Sequence, residues 1–506
     1  MKYKILGNYY NNSFHLPSTT GPHAVENIIT RFCPADLSLQ LWEAPIDYRD
    51  VENVIESADT GFKTWKKFST LERINYLKKY QEEITKRKDQ IALAIAYETG
   101  KPLWEAKTEV TSIIAKVNVT IYESLPRIAS KNIPNIMPNT NGHIFYKPIG
   151  PSLIIGPFNF PCHLANGQIL SALIAGNSII FKPSEKTCYS AQLLIESFHS
   201  AEFPSGVINF ILGDGEVARR LLKEKSIKGV FFTGSKDVGK KILDVTHHDL
   251  SKLVSLELGG KNTTIIHNDA NVDHALSELL KACFLTTGQR CTSTSIVAIQ
   301  RNIHEQFIER FHDFAKKIII DHPVEFVREP FMGPLIDLSA VDSYLLFMGM
   351  AKREGIQEIM RGKHIEKTKK GHYVSPSIHL TEKWNNDSMF LHSEIFGPNV
   401  TFIPYDNIDE GIKIANATEY GLAAAVFSKD INIFKTCIEE IDSGLVNFNR
   451  STVGASAKLP FGGVKNSGNY HPAALTTIDA CVYQMSCLEV QNDEPEDIKT
   501  IIGLDL

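Results

Sequence analysis

Ser152-Leu153-Ile154-Ile155, Ser178-Ile179-Ile180-Phe181, Gly206-Val207-Ile208-Asn209-Phe210 and Gly229-Val230-Phe231-Phe232 are four short apolar runs in one stretch of the chain. Helical patterns separate them, over residues 164–175, 191–198 and 216–223. Apolar runs of this length alternating with helical periodicity predict βαβ units and a parallel sheet. Right-handed crossovers then put helices on both faces. A second series follows Gly259, with strands predicted at 264–266, 296–299, 400–404, 424–427 and 444–447 and a helix at 303–319. The fold class is α/β, with two parallel-sheet domains.

Working outward, helices are predicted over 48–68, 70–98 and 103–124, the second stopping at Thr99-Gly100-Lys101-Pro102. Residues 1–45 read as irregular. Short strands at 144–147 and 480–488 stand outside both series and can pair with each other, within a chain or between subunits.

A chain of 506 residues is too long for one core. A net charge of −5 gives no basic footprint for nucleic acid. No run approaches the roughly 18 apolar residues of a membrane span, and residues 1–10 lack an apolar leader, so the cytoplasm is expected. The eight cysteines (33, 162, 188, 283, 291, 437, 481, 487) contain no Cys-x-x-Cys, which argues against zinc and against a redox pair. His247-His248 is isolated, and no metal is expected.

The chemistry concentrates in two segments. Val254-Ser255-Leu256-Glu257-Leu258-Gly259-Gly260-Lys261 is an apolar strand that delivers a carboxylate and stops at two glycines. The end of a parallel strand is where an open sheet places a base. Thr286-Thr287-Gly288-Gln289-Arg290-Cys291 follows an amphipathic helix predicted over 272–285, so Cys291 falls on a loop with Arg290 beside it, and nearby positive charge favours a thiolate. Most cysteines are inert core residues, but the two segments together predict Cys291 as nucleophile and Glu257 as the group that activates water.

The cofactor signal is weaker. No Gly-x-Gly-x-x-Gly follows the first strands. Gly234-Ser235-Lys236-Asp237-Val238-Gly239 lies between a strand and a helix, and such a helix start receives a phosphate on its free amides. A plain turn needing glycine for positive φ has the same spelling. Lys182 and Glu185 follow another strand, where a carboxylate can hold ribose hydroxyls.

With these segments in view, the chain resembles the aldehyde dehydrogenase superfamily from end to end. The resemblance is carried by Glu98-Thr99-Gly100-Lys101-Pro102, Gly156-Pro157-Phe158-Asn159-Phe160-Pro161, Phe181-Lys182-Pro183-Ser184-Glu185, Phe232-Thr233-Gly234-Ser235, Glu257-Leu258-Gly259-Gly260-Lys261, Gly288-Gln289-Arg290-Cys291, Glu394-Ile395-Phe396-Gly397-Pro398 and Pro460-Phe461-Gly462-Gly463. It implies an NAD-binding domain (1–124 and 147–257), a catalytic domain (258–459) and an oligomerisation arm with C-terminal tail (125–146 and 460–506), in a homodimer or homotetramer. It implies Cys291 as nucleophile, Glu257 as base and Asn159 as half of an oxyanion hole. Lys182 and Glu185 would hold the adenosine ribose, Gly234, Ser235, Lys236, Asp237, Val238 and Gly239 the pyrophosphate, and Glu394 the nicotinamide ribose, with Phe396 beside the ring.

Within the superfamily the chain is most similar to the succinylglutamate semialdehyde dehydrogenases of arginine catabolism, through Lys101-Pro102-Leu103-Trp104-Glu105-Ala106, Asn159-Phe160-Pro161-Cys162-His163-Leu164-Ala165-Asn166-Gly167 and Gly468-Asn469-Tyr470-His471-Pro472. The segment 449–455 departs from that subfamily. Succinic and glutamic semialdehydes are alternative substrates. A CoA-acylating enzyme needs no Glu257, and a non-catalytic protein on the fold should have lost Cys291 or Glu257. A dicarboxylate substrate needs cations, and Arg450, with Arg290 second, is the expected clamp.

Overall fold

The computed structural model describes residues 3–20, 24–491 and 502–503. The strands Ser152–Ile155, Ile179–Lys182, Ile208–Phe210, Gly229–Thr233 and Leu253–Glu257 form the parallel centre of a seven-stranded sheet. Their apolar runs are almost wholly buried, as a sheet covered on both faces requires. From Ser152–Ile155 the chain steps outward through Ile179–Lys182 to Ile208–Phe210. It then returns to lay Gly229–Thr233 and Leu253–Glu257 on the other side of Ser152–Ile155. That reversal opens a crevice beyond the carboxyl ends of the strands. Register sets Lys182 beside Ile155 and Thr233 beside Glu257 on this edge.

The second sheet also has seven strands, in the order Gln357–Met360, Ser377–Leu380, Asn399–Tyr405, Thr294–Gln300, Asn262–Ile266, Ala423–Phe427, Leu445–Phe448. Only Gln357–Met360 runs antiparallel to its neighbour. Residues 258–261 link the last strand of the first sheet to Asn262–Ile266. The carboxyl edge of one sheet is thereby tied closely to the amino edge of the other.

The segment expected to be irregular, residues 1–45, contains four strands among its described residues. Asn8–Tyr10 and Ser13–His15 extend the first sheet, and Ile28–Cys33 pairs with Asp36–Pro45 as a hairpin. The turn Asn11-Asn12 has φ of 49° and 60°, a left-handed pair that asparagine tolerates. The hairpin docks through buried Arg31, whose guanidinium bonds the Glu98 and Ile336 carbonyls, and through Trp42, whose indole N–H donates to the Glu98 carboxylate. Glu98 also accepts the Tyr189 and Ser190 amides at the start of helix Cys188–Ser200.

The predicted helix 70–98 breaks at Arg87 into Thr70–Lys86 and Lys88–Thr99. Leu103–Val119 passes into a wider π-helical turn, Thr120–Ser124. The tail strand Val482–Val490 pairs antiparallel with Thr140–Pro148 of the same chain, over nine positions, and Lys131–Met137 completes a three-stranded sheet. The tail positions 492–501 and 504–506 lie outside the described residues. Among the described residues no helix is long and apolar enough to cross a membrane, and no group of three or more His, Cys, Asp or Glu is arranged for a metal ion.

Candidate active site

Cys291 stands on a tightly braced loop. Helix Val272–Phe284, capped by the Asn271 side chain, runs into a short turn, Leu285–Gly288. Thr286, Thr287 and Gly288 have φ of 54°, 56° and 70°. Left-handed backbone costs a β-branched residue about 1–2 kcal/mol, so the turn needs external support. Glu105 provides it. Its buried carboxylate accepts the Thr286 amide at 3.1 Å, the Thr286 hydroxyl, and Arg290 Nη2 at 2.5 Å. Arg290 Nε donates to Thr286 Oγ1, and Thr287 Oγ1 donates to the Gly333 carbonyl. A Cβ at Gly288 would lie 2.2 Å from the Gly397 oxygen, so only glycine fits. Asn262 Nδ2 donates to the carbonyls of Cys291 and Ser293, fixing the thiol at the start of strand Thr294–Gln300.

Glu257 ends strand Leu253–Glu257, whose outer edge is closed by a late segment of the chain. Leu258 N–H donates to Ser467 O, Leu256 N–H to Asn469 Oδ1, Asn469 Nδ2 to Val254 O, and Ser255 Oγ to His471 O. The carboxyl is buried, and its Oε2 has no protein partner. Burial pushes its pKa well above the carboxylate range, opposed only by a hydrogen bond from the Ala473 amide. Glu257 and Cys291 line one cavity of about 260 Å³, together with Phe160, Gln168, Thr233 and Phe461. Six of the other cysteines are buried and Cys487 is exposed on the arm. Burial, reinforced by the Glu394 and Glu257 charges, pushes the Cys291 thiol up to about 12. Arg290 opposes this shift but does not outweigh it. Its charge is paired with Glu105, which corrects the expectation that Arg290 makes the thiolate.

Asn159 is buried and is not among the residues that line the cavity, which its neighbour Phe160 does. Its Nδ2 donates to Gln289 O at 2.9 Å, its Oδ1 accepts the Phe160 amide, and its carbonyl accepts Lys101 Nζ at 2.8 Å. Lys101 is in turn ion-paired at 2.7 Å with Glu109, both side chains fully buried, and lies over the Phe160 ring. Glu109 also accepts the Cys162 and His163 amides. Sequence reading missed Glu105, Glu109 and Lys101 as supports because charged residues on a helix are ordinarily assigned to solvent.

On the carboxyl edge of the first sheet, Lys182 is buried and its Nζ donates to Pro183 O, leaving two protons for a ligand. Glu185 is half-buried in the following turn. Ser235 caps helix Lys236–Thr246 by accepting the Val238 amide, and Asp237 lies in its first turn. Neither Gly234 nor Gly239 has positive φ. Added Cβ atoms would strike the Phe232 ring and the Leu258 side chain, so these glycines permit close packing rather than a strained turn. Lys236 is paired with Glu419 and packs over the Tyr420 ring. Glu394 accepts the Gly260 amide, and burial pushes its pKa to about 7. Phe396 meets Phe158 edge to face at 5.9 Å. A buried lysine with spare donors, an adjacent carboxylate and a helix start with free amides match the chemistry of a dinucleotide's ribose and pyrophosphate.

The aldehyde dehydrogenase family model matches residues 22–484. The chain belongs to the aldehyde dehydrogenase family. Among its relatives, the N-succinylglutamate 5-semialdehyde dehydrogenase of Novosphingobium aromaticivorans is 34% identical over 458 residues, covering 90% of this chain and 94% of that protein. The enzyme of the same name from Legionella pneumophila (strain Corby) is 35% identical, covering 87% of each. Among solved structures, the NAD-dependent aldehyde dehydrogenase of Sinorhizobium meliloti aligns with a TM-score of 0.91 at 25% identity, covering 99% of this chain and 97% of that one. The fold, and a dehydrogenase's use of a nicotinamide dinucleotide, follow from membership in this family.

The two arginines expected to clamp the substrate are placed otherwise. In this family member Arg290 lines the cavity but is bound to Glu105 and stacked over Phe160. Arg450 is exposed, does not line the cavity, and donates to Gly454 O, so it braces its own loop. A cation on the wall that sequence reading overlooked is Lys116.

Proposed function

We propose that the protein is an NAD-dependent dehydrogenase that oxidises N-succinylglutamate 5-semialdehyde to its carboxylate, a reaction of arginine catabolism. The observation that carries the chemistry is a half-buried thiol, Cys291, sharing one cavity with a buried carboxyl whose Oε2 has no partner, Glu257. The relatives' names carry the substrate.

Cys291 Sγ attacks the aldehyde carbon to form a thiohemiacetal. The oxyanion takes the Cys291 amide, and Asn159, which keeps a second Nδ2 proton but does not line the cavity, must turn toward it to add to that hole; such donors are worth about 3 kcal/mol of barrier each. A nicotinamide dinucleotide, when bound, would supply hydride acceptance. Lys182 and Glu185 would hold its adenosine ribose, the first turn after Gly234 would receive the pyrophosphate, Glu394 would hold the nicotinamide ribose, and Phe396 would pack beside the ring. The thioester left on Cys291 is hydrolysed by a water whose proton Glu257 takes, and the thiolate departs. Residues 1–124 and 147–257 act as the cofactor domain, 258–459 as the catalytic domain, and 125–146 with 460–506 as arm and tail. The arm exposes Ile133, Ile136, Met137, Leu488 and Val490, apolar surface suited to a second copy of the chain.

The test is NADH formation across succinylglutamate, succinic and glutamic semialdehydes and hexanal, with Cys291→Ala as control. The expected result is the highest kcat/KM for the succinylated substrate and no turnover in the variant. Equal kcat/KM for hexanal would overturn the substrate, and turnover within tenfold in Cys291→Ala would overturn the nucleophile.

A further inference from the structure

We propose that Lys116 binds a carboxylate of the substrate and is the residue that makes this cavity selective for acidic semialdehydes. The inference rests on the acidic-substrate reading above and adds the residue that enforces it.

Helix Leu103–Val119 turns Thr108, Ser112 and Lys116 toward the cavity, at the i, i+4, i+8 spacing that stacks side chains on one face. Lys116 is 2% exposed. Its Nζ donates to the Ala474 carbonyl at 2.9 Å, and no carboxylate among the described residues approaches it within 4 Å. The other cations near the site are neutralised: Arg290 by Glu105 and Lys101 by Glu109. A buried ammonium without a counter-charge is costly, and burial accordingly lowers the Lys116 pKa to about 8. A ligand carboxylate in the cavity removes that cost, and Nζ keeps two protons with which to bind it.

The surroundings fit a polar substrate tail. Gly167 lies against the lysine stem: its missing Cβ would sit 3.5 Å from Lys116 Cε, so the absence of a larger side chain leaves room there. His163 and Gln168 line the same cavity, and His163 Nδ1 and Gln168 Oε1 are buried without protein partners. Gln168 Oε1 can accept only from a donor such as a substrate amide N–H, whereas a protonated His163 Nδ1 can donate to a carboxylate.

The experiment measures kcat and KM for N-succinylglutamate 5-semialdehyde and for hexanal in the wild type, Lys116→Met and Lys116→Arg, with NAD binding followed by fluorescence as a check on folding. Loss of one charged hydrogen bond raises KM for the acidic substrate about ten- to hundredfold in Lys116→Met. Hexanal KM stays within threefold, kcat for both substrates changes little, and Lys116→Arg recovers at least part of the acidic-substrate KM. Parallel loss on both substrates, or an unchanged acidic-substrate KM, overturns the assignment. If Lys116→Met does not bind NAD, Lys116→Gln decides: a KM rise confined to the acidic substrate supports the role, and no selective change overturns it. A wild type that does not prefer the acidic substrate to hexanal rejects the substrate reading itself, a result distinct from any behaviour of the variants.

Discussion

Replacing Glu105 by leucine tests whether the nucleophile's loop is held by the carboxylate beneath it. Leucine keeps most of the volume and removes three bonds, to the Thr286 amide, the Thr286 hydroxyl and Arg290 Nη2. Leaving one member of a buried ion pair without its partner costs about 3–5 kcal/mol, and orphaning a buried amide about 1–3 kcal/mol. Arg290 can turn toward the cavity, so the lower ends apply and the sum is about 4 kcal/mol, roughly a thousandfold in the opening equilibrium of the loop. Thr286 and Thr287 supply the drive to open, because both leave left-handed backbone when the loop relaxes. Hydrogen exchange of the peptide spanning 285–293 reads this directly. Glu105→Leu should exchange two to three orders of magnitude faster than the wild type, with aldehyde turnover falling at least tenfold. Arg290→Met added to Glu105→Leu should restore much of the protection, since removing both charges is milder than removing one. Wild-type exchange in Glu105→Leu would refute the reasoning. Burial alone raises the Glu105 pKa, but Arg290, Lys101 and the Thr286 bonds outweigh it and hold it below 4.5. The support is therefore present above that value and fades only as the pH falls through the depressed one.

Glu257→Gln should give a burst of about one NADH per subunit followed by slow turnover, and equal loss of both phases would move Glu257 to an earlier step. Because burial raises its pKa, wild-type steady-state turnover should climb with pH as Glu257 ionises, and that limb should vanish in the variant. Glu185 beside Lys182 should repel a 2′-phosphate, so kcat/KM should favour NAD over NADP at least tenfold, and Glu185→Ala should narrow the gap; comparable values in the wild type would separate Glu185 from the 2′ position. Arg450→Leu should leave KM for acidic and neutral aldehydes within threefold, since among the described residues Arg450 donates to Gly454 O alone; a selective rise for the acidic substrate would return it to the site.

The parallel centres of the two sheets were legible because fully buried parallel strands have no alternation to obscure them, as at Ser178–Phe181 and Gly229–Phe232, whereas the short strands Asn8–Tyr10, Ser13–His15, Gln357–Met360 and Ser377–Leu380 were missed. The hairpin at 28–45 was not legible. Its strands carry exposed polar and apolar residues in no clean period, and Pro34-Ala35 is not a recognisable hairpin turn. In the site, Cys291 and Glu257 announced themselves by their glycines and their place after strand and helix. The buried face of helix Leu103–Val119 did not, since Glu105, Glu109 and Lys116 break the rule that charge faces water. Their spacing of four and seven residues on one helical face was the available signal. Arg450 misled because charge near a loop was read as charge facing the substrate.

The segment 467–474 has a consequence for how the protein is made. It closes the edge of the strand carrying Glu257, donates the Ala473 amide to that carboxyl, and offers the Ala474 carbonyl to Lys116. Its partners Val254 and Leu256 precede it by more than two hundred residues. During synthesis the cofactor sheet can collapse early, as a unit, while this long-range closure must wait until residues 467–474 have emerged. Fragments released before residue 467 would carry the thiol and the carboxyl without the frame that aligns them. Cys291 and Glu257 thus gain their common frame only once residues 467–474 have joined the strand that carries the carboxyl.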